Sequence, residues 1–298
     1  MTSSPIQPVT LKPFLPSSAE GMKKFITQYP RLPYGLGDFE TFTQQWISDH
    51  SCVLDLWQGN QRVAVAVLLD RFEAQPQSVE VAVLGYRWDF SAALFLETVI
   101  PAAQNKAREQ KKLKIEMISS LGLKVAPADL NRKGFSTGVT VITYESSPTN
   151  PQLLVPLPAK WLWQEATEKT VPLCYELLKL NFPEPDAQSL VPYAQFERLA
   201  LQLPIKPHLL FEDQTAIAFV WVAADPITGQ LLFIARHPRY RGQGLGKVCL
   251  SEAVRLLQPV GIKRLQAEVK DSDRSAIRLF EVSGFRTVRK LTRFILPL

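Results

Sequence analysis

The same order of predicted helices and strands occurs in both halves of the chain, and this repeat constrains the fold more than any other feature. Each half follows the order β-α-α-β-β-β-α-β-α-β. Each half also places Gly-Phe after its last helical pattern, at Gly134-Phe135 and at Gly284-Phe285. An internal duplication of about 140 residues explains the repeat. The alternative is that two unrelated α/β domains share the order by chance.

The patterns within each half predict where the elements lie. In the first half they predict helices over 17–28, 38–48, 90–109 and 127–132, and strands at 9–11, 52–57, 62–69, 79–84, 114–118 and 136–144. In the second half they predict helices over 165–180, 187–203, 245–258 and 274–283, and strands at 161–164, 209–211, 216–222, 231–235, 264–269 and near the C-terminus. Residues 146–160 hold four prolines and no periodic pattern. We therefore predict domains at 1–145 and 159–298, joined by a linker at 146–158.

Composition and targeting signals indicate the broad class. A chain of 298 residues with 46% hydrophobic and 21% charged residues is typical of a globular protein with two domains. No apolar run approaches about 18 residues, and the N-terminus lacks the features of a signal peptide, so we expect a cytoplasmic protein without a membrane segment. The scattered cysteines and histidines favour buried thiols and no metal site: Cys52, Cys174, Cys249, His50, His208 and His237.

A glycine-rich turn between a strand and a helix is the most informative local feature. The apolar run Leu231–Ala235 is typical of a buried strand, and a helical pattern begins at Leu245. Between them lies Arg241–Gly246, hereafter the glycine turn, with glycines at alternate positions. Unpaired N–H groups at a helix start attract anions, and glycines let the backbone approach a phosphate closely. The turn predicts a ligand that carries phosphate.

The net charge of +6 is concentrated in the second half. Residues 1–150 hold 15 basic and 14 acidic side chains, a net of +1, and residues 151–298 hold 19 and 14, a net of +5. A basic patch is compatible with nucleic-acid binding, but the chain lacks aromatic residues interleaved with basic ones and lacks a long basic tract. A small phosphorylated ligand is the simpler explanation, so no nucleic-acid partner is expected.

Two motifs identify the ligand through a family resemblance. The glycine spacing fits neither the dinucleotide fingerprint nor a P-loop. Instead Pro238–Gly246 resembles the Arg/Gln-x-x-Gly-x-Gly/Ala signature of the GNAT superfamily of acetyl-CoA-dependent N-acetyltransferases. The stretch 269–285 is similar to a second motif of that family, and the resemblance covers about 159–298. Within the superfamily, these motifs look most like those of ribosomal-protein alanine acetyltransferases. The implied fold is two tandem GNAT-like domains, each a mixed, mainly antiparallel sheet flanked by helices.

The resemblance also implies which residues bind acetyl-CoA. Backbone N–H groups of the glycine turn would hold the CoA pyrophosphate. The strand before it would separate from its neighbour and bind the pantetheine arm, and nearby cations would meet the phosphates. The exposed arginines there are equally compatible with a solvated rim. The expected cofactor-binding residues are Ile234, Ala235, Arg236, Arg241, Gly242, Gln243, Gly244, Leu245, Gly246, Lys247 and Asp273.

The catalytic groups are less complete than in the family. Glu268 falls where ribosomal-protein alanine acetyltransferases carry a glutamate, and strand alternation lets it face either the acceptor or water. It is the candidate base. Phe280 replaces the tyrosine that usually protonates the thiolate, and Asp273 replaces an asparagine but can still cap a helix. Tyr240 is expected to pack in the turn rather than act as the acid.

The first half keeps the pattern without the site. Its counterpart of the glycine turn, residues 84–90, has one glycine, bulky rings and Asp89, which would repel phosphate. We expect a degenerate GNAT-like domain there.

Two hypotheses follow for the function of the whole chain. The first is an N-acetyltransferase that uses acetyl-CoA and a primary amine of a small molecule or peptide in a ternary complex. The second is a non-catalytic acyl-CoA-binding or interaction module.

Overall fold

The computed structural model describes residues 8–12, 17, 19–28, 53–70, 78–119, 125–182, 190 and 192–298. The chain divides into two compact units: unit 1 comprises Met1–Thr140 with Lys290–Leu298, and unit 2 comprises Val141–Arg289. The predicted helix over 38–48 lies outside the described residues.

Unit 1 is a six-stranded sheet in the order β1-β2-β3-β4-β5-β12, with helices in the connections. Its strands pair antiparallel except β4 and β5, which are parallel. Its elements are β1 (Val9–Lys12), α1 (Ala19–Gln28), β2 (Val53–Gln58), β3 (Gln61–Asp70), β4 (Ser78–Tyr86), α2 (Ala92–Glu109), β5 (Lys114–Ser119), α3 (Pro127–Arg132), the start of β6 (Ser136–Ser146) and the end of β12 (Arg286–Pro297).

The apolar stripe of α2 forms the core of unit 1. Phe95, Leu96 and Val99 recur at helical spacing, and each is at most 1% exposed. They pack in one cluster with alternate residues of β4, including Val81 and Val83. The predicted amphipathic helix is confirmed, and its burial against the sheet accounts for its stability better than propensity does.

Unit 2 has the same plan, with the sheet order β6-β11-β10-β9-β8-β7. Only β10 and β11 are parallel, and the other pairs are antiparallel. Its elements, after the end of β6, are a 3-10 turn (Pro151–Leu153), β7 (Trp161–Glu165), α4 (Val171–Lys179), α5 (Tyr193–Gln202), β8 (His208–Glu212), β9 (Thr215–Ala224), β10 (Thr228–Arg236), a 3-10 turn (Pro238–Tyr240), α6 (Leu245–Leu257), a 3-10 turn (Gln258–Val260), β11 (Arg264–Lys270), α7 (Arg274–Val282) and the start of β12.

Helices cover both faces of the unit 2 sheet. One face packs against α6 and α7, with Leu265, Ala267 and Val269 of β11 in that cluster. The other face packs against α4 and α5 through an aromatic cluster that includes Phe196 and Trp221. The predicted fold class, a mixed and mainly antiparallel sheet flanked by helices, is confirmed.

The compact units differ from the predicted sequence halves because each unit takes its last strand from the other half. Residues 292–297 of β12 pair with β5 in unit 1, and residues 141–146 of β6 pair with β11 in unit 2. The predicted linker 146–158 falls within unit 2, where Leu153 is 1% exposed and packs in the core with α6, while Leu154 and Leu157 are exposed.

Two helices begin later than the sequence pattern predicts. β7 extends to Glu165, and a turn at 168–170 precedes α4, which begins at Val171 with Pro172 in its first turn. Proline is favoured in the first turn of a helix because the N–H group that it lacks would have no acceptor within the helix there. The second of these helices, α5, begins at Tyr193 with Pro192 as its N-cap residue.

Candidate functional site

The glycine turn is shaped by two residues with left-handed backbone. Gly242 has φ +80° and Gly244 has φ +77°, a region that side chains disfavour, and nothing lies within 4 Å of a Cβ built at either residue. Gly246 has a different role. A Cβ there would lie 2.9 Å from both methyl groups of Leu279, so this glycine allows α6 and α7 to pack closely. Two glycines therefore shape the turn, and the third serves helix packing.

The turn leaves the start of α6 open to an anion. Gly244 is the N-cap residue and has no side chain to accept a hydrogen bond from the helix. Within the described residues, the N–H groups of Gly242, Gly244, Leu245 and Gly246 donate to no backbone carbonyl. These donors and the positive end of the helix dipole face the same exposed turn. The arrangement fits a phosphate.

The strand before the turn separates from its parallel neighbour. β10 pairs with β11 only from Thr228↔Arg264 to Leu231↔Ala267, although β11 continues to Lys270. A bulge at Leu232 shifts the register of β10 against β9 at the same point. Beyond Leu231 the two strands diverge, and we call this opening the strand gap. It includes residues 234–236, which are predicted to bind the pantetheine arm.

Cations surround the turn. Arg239, Arg241 and Lys247 are exposed and form no ion pair with any described residue. Arg236 is half-buried instead, and its Nη2 donates to Ser275 Oγ of α7 over 3.1 Å. Its Nε is buried and has no hydrogen-bond partner within the described part of the chain. The rim is therefore positive, and Arg236 crosses toward α7 beside the strand gap.

Tyr240 is held by an acidic partner. Its hydroxyl hydrogen-bonds with Glu212, and that carboxylate raises the pKa of Tyr240. Lys160 Nζ lies 2.6 Å from Glu212 Oε1, and the hydrogen bonds from Lys160 and Tyr240 lower the pKa of Glu212. A phenol with a raised pKa and an engaged hydroxyl is a poor proton donor, so Tyr240 anchors the turn.

Glu268 lies at the start of the strand gap. It follows Ala267, the last β11 residue paired with β10, and projects from the face opposite the α6–α7 core. Its Oε1 accepts from Arg289 Nη2 at 3.2 Å and from Thr143 Oγ1 at 3.4 Å. Within the described residues, Oε2 makes no hydrogen bond. Glu268 is thus oriented through one oxygen while the other can accept a proton.

Arg289 and Thr143 are the site residues that sequence reasoning missed. Arg289 Nε also donates to Thr143 Oγ1 at 3.3 Å, which closes a three-residue network around Glu268. Thr143 is 2% exposed and pairs directly with Glu268 across β6 and β11. The alternating pattern of β6 was visible in the sequence, but nothing there indicated that β6 joins unit 2.

The position of the family's tyrosine is occupied by a core residue. Phe280 is 4% exposed and stacks on Tyr144 at a centroid distance of 5.7 Å. Phe285 packs edge-on against the Phe280 ring, with a centroid distance of 5.0 Å. The Tyr144 hydroxyl donates to Glu281 Oε1 at 3.4 Å. No hydroxyl replaces the missing acid at this position.

Asp273 caps α7. Its Oδ1 accepts from Ala276 N at 2.9 Å, the geometry of an N-cap. The predicted capping role is confirmed. Its assignment as a cofactor-binding residue remains a prediction.

A buried carboxylate lies two turns into α6. Glu252 accepts from Arg255 Nε at 2.7 Å, and His208 Nδ1 lies 2.8 Å from its Oε1. Burial alone would raise the pKa of Glu252, but the hydrogen bonds from Arg255 and His208 outweigh it and lower that pKa. The cluster fixes α6 against β8 and therefore supports the helix that carries the glycine turn.

In unit 1 the corresponding strands also diverge, but the space between them is filled and the start of the following helix is capped. β4 pairs with β5 only to Val81↔Met117 and has its own bulge at Leu84. Tyr86 is fully buried at the end of β4, with its ring 5.4 Å from that of Phe95. At the start of α2, Ser91 Oγ accepts from Leu94 N at 3.4 Å. The helix start is thus capped by its own chain, and an aromatic core fills the space beside β4.

No metal centre or membrane helix is visible in the described ranges. No group of three His, Cys, Asp or Glu residues there could hold a metal ion. None of the helices that the structure describes is long and apolar enough to span a bilayer.

Comparisons with known proteins agree with this geometry. Residues 171–285 match the model of the acetyltransferase (GNAT) family. A putative ribosomal protein bS18 alanine N-acetyltransferase of Bacillus subtilis is 29% identical over 115 residues, which cover 38% of this chain and 72% of that protein. Among the curated relatives it matches, the chain spans from 29% to 72% of their length.

Solved structures extend the likeness over both halves. A GCN5-related N-acetyltransferase from Sphaerobacter thermophilus aligns over 97% of this chain and 95% of its own, with a TM-score of 0.75 at 11% identity. A tandem GNAT protein from the clavulanic acid biosynthesis pathway aligns over 97% and 98%, with a TM-score of 0.65 at 13% identity. At such identities the likeness establishes the fold. Residues 171–285 therefore match the acetyltransferase (GNAT) family, and the chain has the fold of tandem GNAT proteins.

Proposed function

We propose that unit 2 binds acetyl-CoA and transfers its acetyl group to a primary amine. The observation that carries this proposal is the uncapped start of α6 at the end of a strand that diverges from its neighbour. Residues 242 and 244–246 offer backbone N–H donors to the CoA pyrophosphate, and Arg241 and Lys247 add positive charge. The part of β10 beyond the point of divergence, where the pantetheine arm would lie, includes Ile234, Ala235 and Arg236.

The proposed chemistry places Glu268 as the proton acceptor. Bound acetyl-CoA supplies a thioester, which a neutral amine can attack directly. Arg289 and Thr143 hold Oε1 of Glu268, which leaves Oε2 to take the proton of the attacking amine, directly or through water. Since Phe280 and Tyr240 provide no acid, we propose that water protonates the departing thiolate.

The acceptor is proposed to be a small-molecule or peptide amine. The Bacillus subtilis relative is named for a ribosomal protein alanine, so a peptide with an N-terminal alanine belongs in the test set. The positive rim of the turn disfavours polyamines, because like charges repel.

A non-catalytic acyl-CoA-binding module is the second candidate. The observation that favours it is Phe280, buried where the family carries its acid.

Release of CoA from acetyl-CoA, measured with a panel of amines and peptides, separates the two candidates. Turnover that depends on the amine supports the transferase, whereas CoA binding without turnover supports the binding module. Absence of CoA binding would overturn the site assignment.

Glu268→Gln tests the base with little change of shape. We expect a rate at least about tenfold lower. CoA affinity should stay the same, because none of the contacts proposed for CoA involves Glu268. An unchanged rate would remove the base role.

A further inference from the structure

A cavity opens in unit 2 at the opposite end of β11 from the strand gap. It has a volume of about 760 Å³. Its walls come from the end of β6, the segment 150–152, the start of β11 and the connection from α7 to β12. β11 begins there at Arg264 and reaches the strand gap only after Ala267. The cavity is therefore separate from the proposed acetyl-CoA site.

The charge of this cavity is positive. Lys263, Arg264 and Arg286 line it, with Glu145 as the one carboxylate among the lining residues. Glu145 already accepts from Gln266 Nε2 at 2.7 Å. Lys263 and Arg286 are exposed and form no ion pair with any residue that the structure describes. Two cations thus remain available to one ligand.

The polar wall of the cavity is fixed by hydrogen bonds. Asn150 Nδ2 donates to Ser146 Oγ at 3.1 Å and to the Ser283 carbonyl at 3.2 Å, while its Oδ1 accepts from Gln152 N at 3.0 Å. Gly284, with φ +78°, packs so closely that a Cβ would overlap the amides of Asn150 and Gln152. This close packing holds the loop against the end of α7, so the cavity is preformed.

An apolar wall completes the site. Phe285 belongs to the core and also lines the cavity, and Val288 beside it is 48% exposed. We propose that this cavity binds a small organic anion that carries phosphate or carboxylate groups on an apolar or aromatic body. Lys263 and Arg286 would contact the charged groups, and Phe285 and Val288 the body.

Titration calorimetry tests the site with two simple probes, pyrophosphate and citrate, at constant ionic strength. The titration is made in the Gly244→Asp background, where the added carboxylate disfavours anion binding at the glycine turn, and no CoA is added because CoA itself carries phosphates on an aromatic body. We expect one molecule of at least one probe per chain, and the stronger probe distinguishes phosphate from carboxylate recognition. Failure of both probes to bind would overturn the proposal without affecting the acetyl-CoA site.

Paired variants assign the binding to the cavity. Lys263→Gln with Arg286→Gln should weaken the probe at least about tenfold, because two charge-assisted contacts are lost. Lys169→Gln with Arg198→Gln removes the same charge from exposed positions elsewhere in unit 2 and should leave the affinity unchanged. Val288→Glu should also weaken binding by repulsion. Equal affinity in the wild type and the cavity variants, with unchanged circular dichroism, would overturn the site.

Discussion

The charge preference of the glycine turn can be tested by two variants of one shape. Gly244→Asn and Gly244→Asp both introduce residues that tolerate left-handed backbone better than other side chains. A Cβ at Gly244 meets nothing within 4 Å, so neither variant should create a clash. Both should lose about 1 kcal/mol of unfolding free energy from the positive φ of 77°.

The two variants differ by one negative charge beside the proposed pyrophosphate site. At a separation of about 5 Å and an effective dielectric between that of water and a protein surface, the repulsion is about 1 to 3 kcal/mol. Gly244→Asp should therefore bind CoA between about five- and 150-fold more weakly than Gly244→Asn. Without ligand the order reverses, because a carboxylate at the start of α6 gains about 0.3 to 1 kcal/mol from the helix dipole.

Calorimetric titration with CoA and urea unfolding of the ligand-free protein measure the two effects. The affinity difference should shrink as salt is added, since the turn is exposed. Equal CoA affinity of the two variants, or tighter binding by Gly244→Asp, would refute an anion site at this turn. The opposite signs of the two effects exclude general misfolding as the explanation.

Three further predictions concern stability. Ser91→Ala should lower the unfolding free energy by about 1 kcal/mol through loss of the α2 cap and leave CoA affinity unchanged, as urea unfolding and titration will show. Burial raises the pKa of the Cys174 and Cys249 thiols from 9.0 to about 12. Iodoacetamide at pH 8.5 should therefore modify these thiols only after the protein unfolds, and mass spectrometry measures the modification. Both raised values stabilise the fold below pH 9, and that stability should fall as the pH rises toward 12. Glu252→Gln should flatten the loss of stability in acid, because the lowered pKa of Glu252 stabilises the fold above its ordinary value of 4.5 and that gain disappears as the pH falls; a midpoint series by circular dichroism measures this.

The sequence predicts the fold and the glycine turn because both depend on local patterns. Apolar periodicity identifies α2 and α6, and alternation places Glu268 on the face opposite Leu265 and Ala267, as the structure has it. The roles of individual glycines are less accessible. The sequence does not distinguish Gly242, Gly244 and Gly246. The structure shows that Leu279 leaves no room for a side chain at Gly246.

The network around Glu268 could not be predicted, because it depends on strand pairing between distant segments. Thr143 lies 125 residues from Glu268 in the sequence and reaches it through the register of β6 with β11. Strand pairing is set by competition between edges of similar sheets. Two halves with the same order of elements offer two similar edges, so local pattern cannot choose between them.

Each unit contains a strand from the other half of the chain, β12 in unit 1 and β6 in unit 2, and this exchange affects when each sheet can be completed during synthesis. Domains usually fold as they leave the ribosome, with the N-terminal one first. Here the edge of unit 1 beside β5 receives residues 292–297, which follow β5 by more than 170 residues in the chain. That edge of the first half therefore stays unpaired with its final partner until residues 292–297 have been synthesised. A fragment that ends before residue 292 would therefore lack the strand that pairs with β5 in unit 1.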